Sequence, residues 1–530
     1  MHRSVSLLAG LLLTGAAFAA DPPSPPLVEA ARNGDVATVR SLLASGVDPD
    51  TTASDGSTAV HWAAHRNHLE ILDVLLSAGA SPDVLSRYDV APLTLAAQNG
   101  NAELMERLLD AGASPDTVSE EGQTALMTAS RNGSLDAVRV LLRRGAKVNL
   151  AESFRGQTAL MFAAGEGNMD AVDLLREFGA DLRARSKGGY TALLFAVRNN
   201  RYETVKYLLE HGADPNDAIP DGTAALSMAI LNADFDLAAL LLDAGADPNV
   251  PDPRGHPLHV VVWLHEPGAP PDFAMSGVDP QPVPQPRGKL SHLDLLKKLL
   301  EAGADPNVEI TWGEGRFVPG GGLSRNPQNL AIGRHYLSYE GATPFYLAAR
   351  NGDAPMMRIL ADAGADPIKP TLHGVTPLMG AACLDYYEGE TAGPFSGVSE
   401  AERLEAVKLA VELGNDVNAR TDFGDYPMTG TPEDTLLRYP DNIQDLLELH
   451  VGDMRFDEMT ALHGAVICNQ PSILEYLIAQ GAEVNAKNRL GWTPLMVAGG
   501  LYIANNEKRF PREAEILRQA MEAQGIQPEQ

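Results

Sequence analysis

The chain is nearly without cysteine. Two in 530 residues, Cys383 and Cys468, exclude a disulfide framework and any cysteine-rich zinc module. Positive charge is also scarce: 41 Lys and Arg face 70 Asp and Glu, for a formal charge of −29. So acidic a surface repels phosphate backbones, and no nucleic acid is expected as a partner. Beyond the amino terminus no apolar run reaches the ~18 residues of a spanning helix. The densest run is Leu258 to Leu264, so no membrane insertion of the mature chain is expected. Catalytic signatures are missing too, with no Gly-x-Ser-x-Gly and no His-Glu-x-x-His. Gly313-x-Gly315 and Gly320 to Gly322 open no helix after a strand, which leaves a phosphate cradle unsupported. Asp214-Pro-Asn216 and Asp247-Pro-Asn249 lack the glutamate that closes an EF-hand loop. No cofactor and no metal is expected. What is present is an ordinary apolar share of 44% with 21% charged residues, the composition of a folded protein. Length alone would suggest about three or four domains.

Residues 1–19 read as a secretory signal peptide. Arg3 gives a positive start, Val5 to Leu13 is mostly apolar, and Ala17-Phe18-Ala19 is a small-x-small cleavage site. Cleavage after Ala19 is expected, and the absence of a following cysteine excludes lipid attachment there. The mature chain should be soluble and exported. So short a signal fits a bacterium, and a periplasmic or secreted location follows. Residues 20–26 are Pro-rich and, like the 525–530 tail, should fray.

The rest of the sequence repeats. Gly-Ala-Asp or a close variant begins at Gly46, Gly79, Gly112, Gly145, Gly179, Gly212, Gly245, Gly303, Gly364, Gly414 and Gly481. The intervals are 33, 33, 33, 34, 33, 33, 58, 61, 50 and 67. About ten residues downstream, in the regular copies, comes a second phrase: Gly56-Ser-Thr-Ala-Val-His-Trp-Ala-Ala64, Gly156-Gln-Thr-Ala-Leu-Met-Phe-Ala-Ala164, Gly341-Ala-Thr-Pro-Phe-Tyr-Leu-Ala-Ala349. A period of this length means a stacked array rather than separate globules.

These phrases resemble the ankyrin repeat, over nearly all of residues 27–524. The resemblance implies a β-turn finger and two antiparallel helices per repeat, an all-α solenoid of about 12–13 helix-pair units. Local chemistry agrees. Thr58 suits an N-cap, Pro344, Pro377 and Pro494 suit a first helical turn, and Gly79 and Gly112 suit a left-handed C-cap. Units should open near residues 56, 89, 122, 156, 189, 222, 255, 341, 374, 424, 458 and 491, after an amino-terminal helical cap at Leu27 to Ser45. One solenoid is expected, with regular repeats over 27–262, insert-bearing repeats over 263–420, and degenerate and C-terminal repeats over 421–524. The 67-residue interval is expected to hide a degenerate unit, Asp422 through Leu449.

Three insertions break the period: roughly His265 to Gly288 and Cys383 to Ser399 between helices, and Val308 to Tyr339 in a finger. The finger insert carries Trp312, Arg316, Phe317 and Tyr336, an aromatic–arginine content suited to an interface anchor. Finger tips add Tyr88, Phe154, Arg155, Tyr190, Arg489 and Trp492. By the resemblance, the residue after each Ala-Ala-like pair faces the concave groove, which gives His65, Arg131, Arg198 and Arg350 as further contacts. These residues are the expected partner-binding set.

His61, His65 and His68 share a helical face, yet His61 is by the resemblance a hydrogen-bonded structural residue, so they are not read as a metal site. Cys383 and Cys468 end first helices two units apart, a separation of ~16–20 Å at one layer per ~8–10 Å. Two unpaired, largely buried thiols are expected. The function expected is non-catalytic: an exported, monomeric scaffold that binds another protein, a basic one at its acidic rim. The alternatives are an enzyme or enzyme subunit with a site built by the inserts at 308–395, and a structural spacer of the cell envelope.

Overall fold

The computed structural model describes residues 24–252, 255–265, 286–311, 341–384, 398–422, 428–429, 452–453, 456–501 and 509–527. They fall into two compact units, Met1–Ala196 and Val197–Gln530. Each is built from one recurring hairpin of short helices.

In the first unit the pairs are Pro26–Asn33 with Val36–Ala44, Ala59–Arg66 with Leu69–Ser77, Pro92–Asn99 with Ala102–Asp110, Ala125–Asn132 with Leu135–Arg143, and Ala159–Glu166 with Met169–Glu177. First helices pack on first helices and second on second. Helices of eight or nine residues are too short to hold in isolation, where ~12–15 are needed. Their stability comes from the layers. Ala63, Ala64, Ala96, Ala97, Ala163 and Ala164 are fully buried and let first helices approach, while Leu72, Leu75, Leu104, Leu108 and Leu141 fill the space behind them. Each such leucine contributes ~1.5–3 kcal/mol.

The ends are set by local chemistry. Thr124, Thr158, Thr343, Thr376 and Thr493 each accept the N3 amide on the side-chain oxygen (3.2–3.4 Å). Pro344, Pro377 and Pro494 open first helices. Gly79 ends a second helix at φ +90°, and its amide donates to the Leu76 carbonyl (3.0 Å).

The second unit continues with Tyr202–Glu210, Ala225–Leu231 with Phe235–Asp243, Pro257–Leu264 with His292–Glu301, Pro344–Arg350 with Ala354–Asp362, Pro377–Ala381 with Glu400–Glu412, Ala461–Ile467 with Pro471–Ala479, and Pro494–Met496 with Pro511–Ala523. A polar ladder ties these layers. The Asn307 side-chain oxygen accepts from the Asp366 amide (2.6 Å), and its NH2 donates to the Gly364 carbonyl (2.9 Å). Asn249 does the same to Asp305 and Gly303, and Asn418 to Glu483 and Gly481.

That last rung bears on the unit expected inside the 67-residue interval. Asn418 bonds directly to the repeat of residues 461–479, and the helices Pro377–Ala381 and Glu400–Glu412 pack directly on Ala461–Ile467 and Pro471–Ala479. Thr421 also pairs with Met459, amide to carbonyl at 2.9 Å, as Thr371 pairs with Val375 (3.0 Å) in an ordinary finger. No layer therefore stands between these repeats. The degenerate unit expected from Asp422 to Leu449 does not stand between these two repeats, and apart from Asp422 and Met428–Thr429 it lies outside the described residues. One parallel pair, Met428–Thr429 with Gly452–Asp453, is described there.

The cysteine distance falls with it. The Cys468 thiol lies 3.8 Å from the Cys383 carbonyl oxygen, not two layers away. Cys383 is buried and Cys468 half-buried.

Candidate binding surface

The first helices of the first unit present a row of arginines on aromatic rings. Arg32 lies 4.6 Å over the Trp62 ring and Arg66 lies 6.0 Å from it. His65 meets the edge of the same ring at 5.8 Å and is exposed. Further along, Arg131 sits 4.1 Å over Phe162. Burial pulls the Arg131 guanidinium below its ordinary value, opposed by the charges of Glu166, Glu121 and Glu152; it stays a cation. Stacking of this kind holds a guanidinium flat; one Arg32 N–H group faces the Glu29 carboxylate at 3.9 Å.

The finger tips are the second component. Tyr88 is 71% and Phe154 69% exposed, large apolar side chains with no cover of their own. Arg155 lies 5.6 Å over Phe154. The Phe154 tip is held by Glu152, whose carboxylate accepts the amides of Phe154, Arg155 and Gln157 (2.6–2.9 Å). Burial raises the Glu152 carboxyl, but these amides and Lys187 leave it below the ordinary value. Tyr190 is half-buried against Phe195 at 5.2 Å.

Other expected contacts stand elsewhere. Arg198 is exposed at the end of the helix Ala192–Arg198. Arg350 is only 4% exposed and does not face a groove. Its carbonyl accepts from the Arg403 guanidinium (3.0 Å), so the next repeat's second helix reaches across it. Arg489 pairs with the buried Asp457 carboxylate at 2.6 Å, which fixes it as a finger strut. Trp492 is half-buried, and its backbone closes a finger through Asn488. Trp312, Arg316, Phe317 and Tyr336 lie outside the described residues.

Sequence reasoning missed Trp62, Arg66 and Phe162. The available signal was the position before each Ala-Ala pair, which carries a large aromatic in two copies.

The histidines that resemble ligands are used by the fold. Nδ1 of His61 accepts from the Thr58 amide (3.1 Å), and its Nε2 is 2.9 Å from the Val90 carbonyl of the next finger. That geometry fixes the Nε2–H tautomer and occupies both nitrogens. His463 repeats it between the Thr460 amide and the Trp492 carbonyl (both 3.2 Å). His259 does so between the His256 amide (3.1 Å) and the Ala342 carbonyl (3.2 Å). Burial pushes His463 down to about 4 and, with the adjacent His256, His259 down to about 3. His68 precedes the helix Leu69–Ser77 as its N-cap.

One cluster escaped the sequence. His265 Nδ1 is 2.5 Å from the Asp353 carboxylate, and its ring is 4.7 Å from that of His292. Burial, then the neighbouring His265, push His292 down to about 4. Among the described residues no group of three or more His, Cys, Asp or Glu is arranged to hold a metal ion. No helix among them is long and apolar enough to cross a membrane.

The family model for ankyrin repeats in three copies matches residues 8–86, 27–118, 83–152, 149–219 and 187–252, and that for the single ankyrin repeat matches 340–371 and 457–489. The chain belongs to the ankyrin-repeat family. The match at 457–489 is the repeat whose finger closes on Thr421. Among curated relatives, the chain is 34% identical over 215 residues to the B-cell lymphoma 3 protein homolog of Mus musculus, covering 35% of this chain and 44% of the relative. It is 32% identical over 117 residues to Protein PhlB of Serratia liquefaciens, covering 21% of this chain and 52% of the relative. The chain thus spans about half the length of the curated relatives it matches. Ankyrin repeats generally mediate protein–protein interaction and are typically non-catalytic binding modules.

Proposed function

We propose that this ankyrin-repeat chain is an exported, non-catalytic scaffold that docks a segment of another protein on the first-helix and finger face of its first unit. The observation that carries the reading is the set of guanidinium groups stacked on Trp62, Phe162 and Phe154. Arginine and large aromatics are the residue types that dominate interface energetics. A preformed surface also keeps the ordering cost of association low. On a chain with formal charge −29, this local cationic row selects a segment bearing carboxylates or aromatic rings. The acidic remainder attracts basic flanks of the same partner and gives an encounter that salt weakens.

A random peptide library selected on the immobilised chain tests this. Selected peptides are expected to be enriched in Asp, Glu and aromatics, and to be lost from a variant carrying Arg66→Glu and Arg131→Glu. Equal retention by that variant would move the docking surface elsewhere. Export is read from the amino-terminal residue of the protein recovered from cell fractions, expected at Ala20.

The enzyme reading keeps one observation. A carboxylate that orients an imidazole, as Asp353 orients His265, is the arrangement of a general base. Its test is a hydrolase substrate panel assayed on the chain and on His265→Ala; the scaffold reading expects no His265-dependent turnover.

A further inference from the structure

We infer that Cys383 and Cys468 are a paired oxidation site that closes into an intramolecular disulfide in the presence of a disulfide oxidant. Three observations converge. The Cys468 thiol points at Cys383 and stands 3.8 Å from its carbonyl oxygen. These are the only cysteines in 530 residues, and the fold brings them together across 85 positions. Their two helix ends are held in backbone contact at Gly464, where a Cβ would fall 2.5 Å from the Ala382 oxygen and 2.7 Å from the Leu384 nitrogen.

Cys383 also sits in a left-handed conformation, φ +68°. The corresponding first-helix ends elsewhere carry mostly Gly or Asn, as at Gly34, Asn67, Gly100 and Asn469, and once alanine, Ala233. The Cys383 Cβ is attached one atom from the carbonyl carbon whose oxygen the Cys468 sulfur faces. Disulfides span Cα separations up to ~7 Å.

The exposures assign the order of events. Cys468, half-buried, is the thiol an oxidant can reach; Cys383 is buried. The Cys468 thiolate attacks one sulfur of a small disulfide or of an oxidoreductase disulfide. A mixed disulfide forms and one thiolate leaves. The Cys383 thiolate then attacks the Cys468 sulfur, forming the Cys383–Cys468 bond and expelling the second thiolate. Two electrons pass to the oxidant, and the two cysteine protons pass to the released thiolates or solvent. The bond joins neighbouring repeats directly and closes the chain between them, which contains the insert positions 385–397 and 423–455.

The full-length chain is treated with oxidised glutathione, blocked with a maleimide, digested and analysed by mass spectrometry. The expected product is a peptide pair joined through Cys383 and Cys468, with both thiols protected from maleimide and both restored by dithiothreitol. Cys383→Gly, which suits the left-handed backbone, should fold and accumulate the glutathione adduct on Cys468. Wild-type chain that keeps both thiols reactive, stops at the glutathione adduct, or forms disulfide-linked dimers would overturn the inference.

Discussion

The buried imidazoles make the second unit sensitive to acid well above the carboxylate range. His463 is fully buried, with Nδ1 held by the Thr460 amide and its other nitrogen facing the Trp492 carbonyl. Its pKa is pushed down to about 4, against ~6.5 in an unfolded chain. Above pH ~6.5 both states carry neutral imidazole and the residue is silent. Below that, the unfolded chain takes up a proton that the folded chain refuses, so stability falls as pH drops. The loss continues until pH reaches the folded value near 4, at a limiting slope of about 1.4 kcal/mol per pH unit. From pH 7 to 5 this comes to about 2 kcal/mol for His463. His259, pushed down to about 3, acts in the same direction and over a wider window. Falling pH also neutralises part of the negative charge and relaxes self-repulsion, so the wild-type curve alone does not isolate the effect. The variant His463→Gln does. Its amide retains an acceptor for Thr460 and a donor toward Trp492 but does not titrate. Urea unfolding of both chains at pH 7, 6 and 5, at constant ionic strength, should show wild type losing about 2 kcal/mol more than the variant across that range. Parallel pH dependences would refute the assignment of His463 as a buried neutral clamp.

Two further outcomes follow from close geometry. Gly464→Ala drives a methyl group into the Ala382 and Leu384 backbone at 2.5 and 2.7 Å; since neither neighbour is a movable side chain, a loss of about 3 kcal/mol or more is expected in denaturant unfolding, where a change under ~0.5 kcal/mol would contradict the direct stacking. Asn307→Ala removes both rungs to Asp366 and Gly364; their exposure limits the cost to about 1–2 kcal/mol, and amide exchange at Asp366 should accelerate while that at Leu360, inside the helix Ala354–Asp362, changes less.

The fold was legible because ankyrin packing is written in local signals. The Thr-Ala or Thr-Pro helix starts, the Ala-Ala pairs and the post-helix glycines each fix a conformation within a few residues, and the structure places helices where those signals stand. The error at Asp422 has the same origin. Phe423-Gly424 reads locally like a finger tip, but whether a tip belongs to a new layer depends on what its flanks pair with. Thr421 pairs with Met459, a contact that no window of sequence contains. The mistaken cysteine separation was inherited from that count. The groove positions were half legible for a related reason. The residue after the Ala-Ala pair is exposed at His65, but at Arg350 the short helix Pro377–Ala381 and the reach of Arg403 cover it. Period gives the face of a helix; the size of the neighbour decides what stays open.

Two of the segments that lengthen the period are flanked by residues that bond to each other. Ile310 and Ala342 rejoin amide to carbonyl at 2.9 Å, and Thr421 rejoins Met459 at the same distance. Closing a longer loop costs little extra, because the entropy grows only with the logarithm of its length. A finger can therefore be enlarged without disturbing the Asn ladder, whose Asn307 and Asn418 precede Ile310 and Thr421 in the chain. Deleting residues 423–455 turns this into a test. It joins Asp422 to Phe456 and leaves four residues between Thr421 and Met459, as many as separate Glu152 from Gln157 in a regular finger whose amide and carbonyl meet at 3.0 Å. The retained Phe456, Asp457 and Thr421 keep their contacts, and the shorter loop should stabilise the repeat by about 2 kcal/mol. The shortened chain is expected to keep its helix content by circular dichroism and to protect the amides of the helix Ala461–Ile467 at least as well as wild type. If a stacked layer were being removed instead, the faces of Glu400–Glu412 and Pro471–Ala479 would lose their cover, and protection there would collapse.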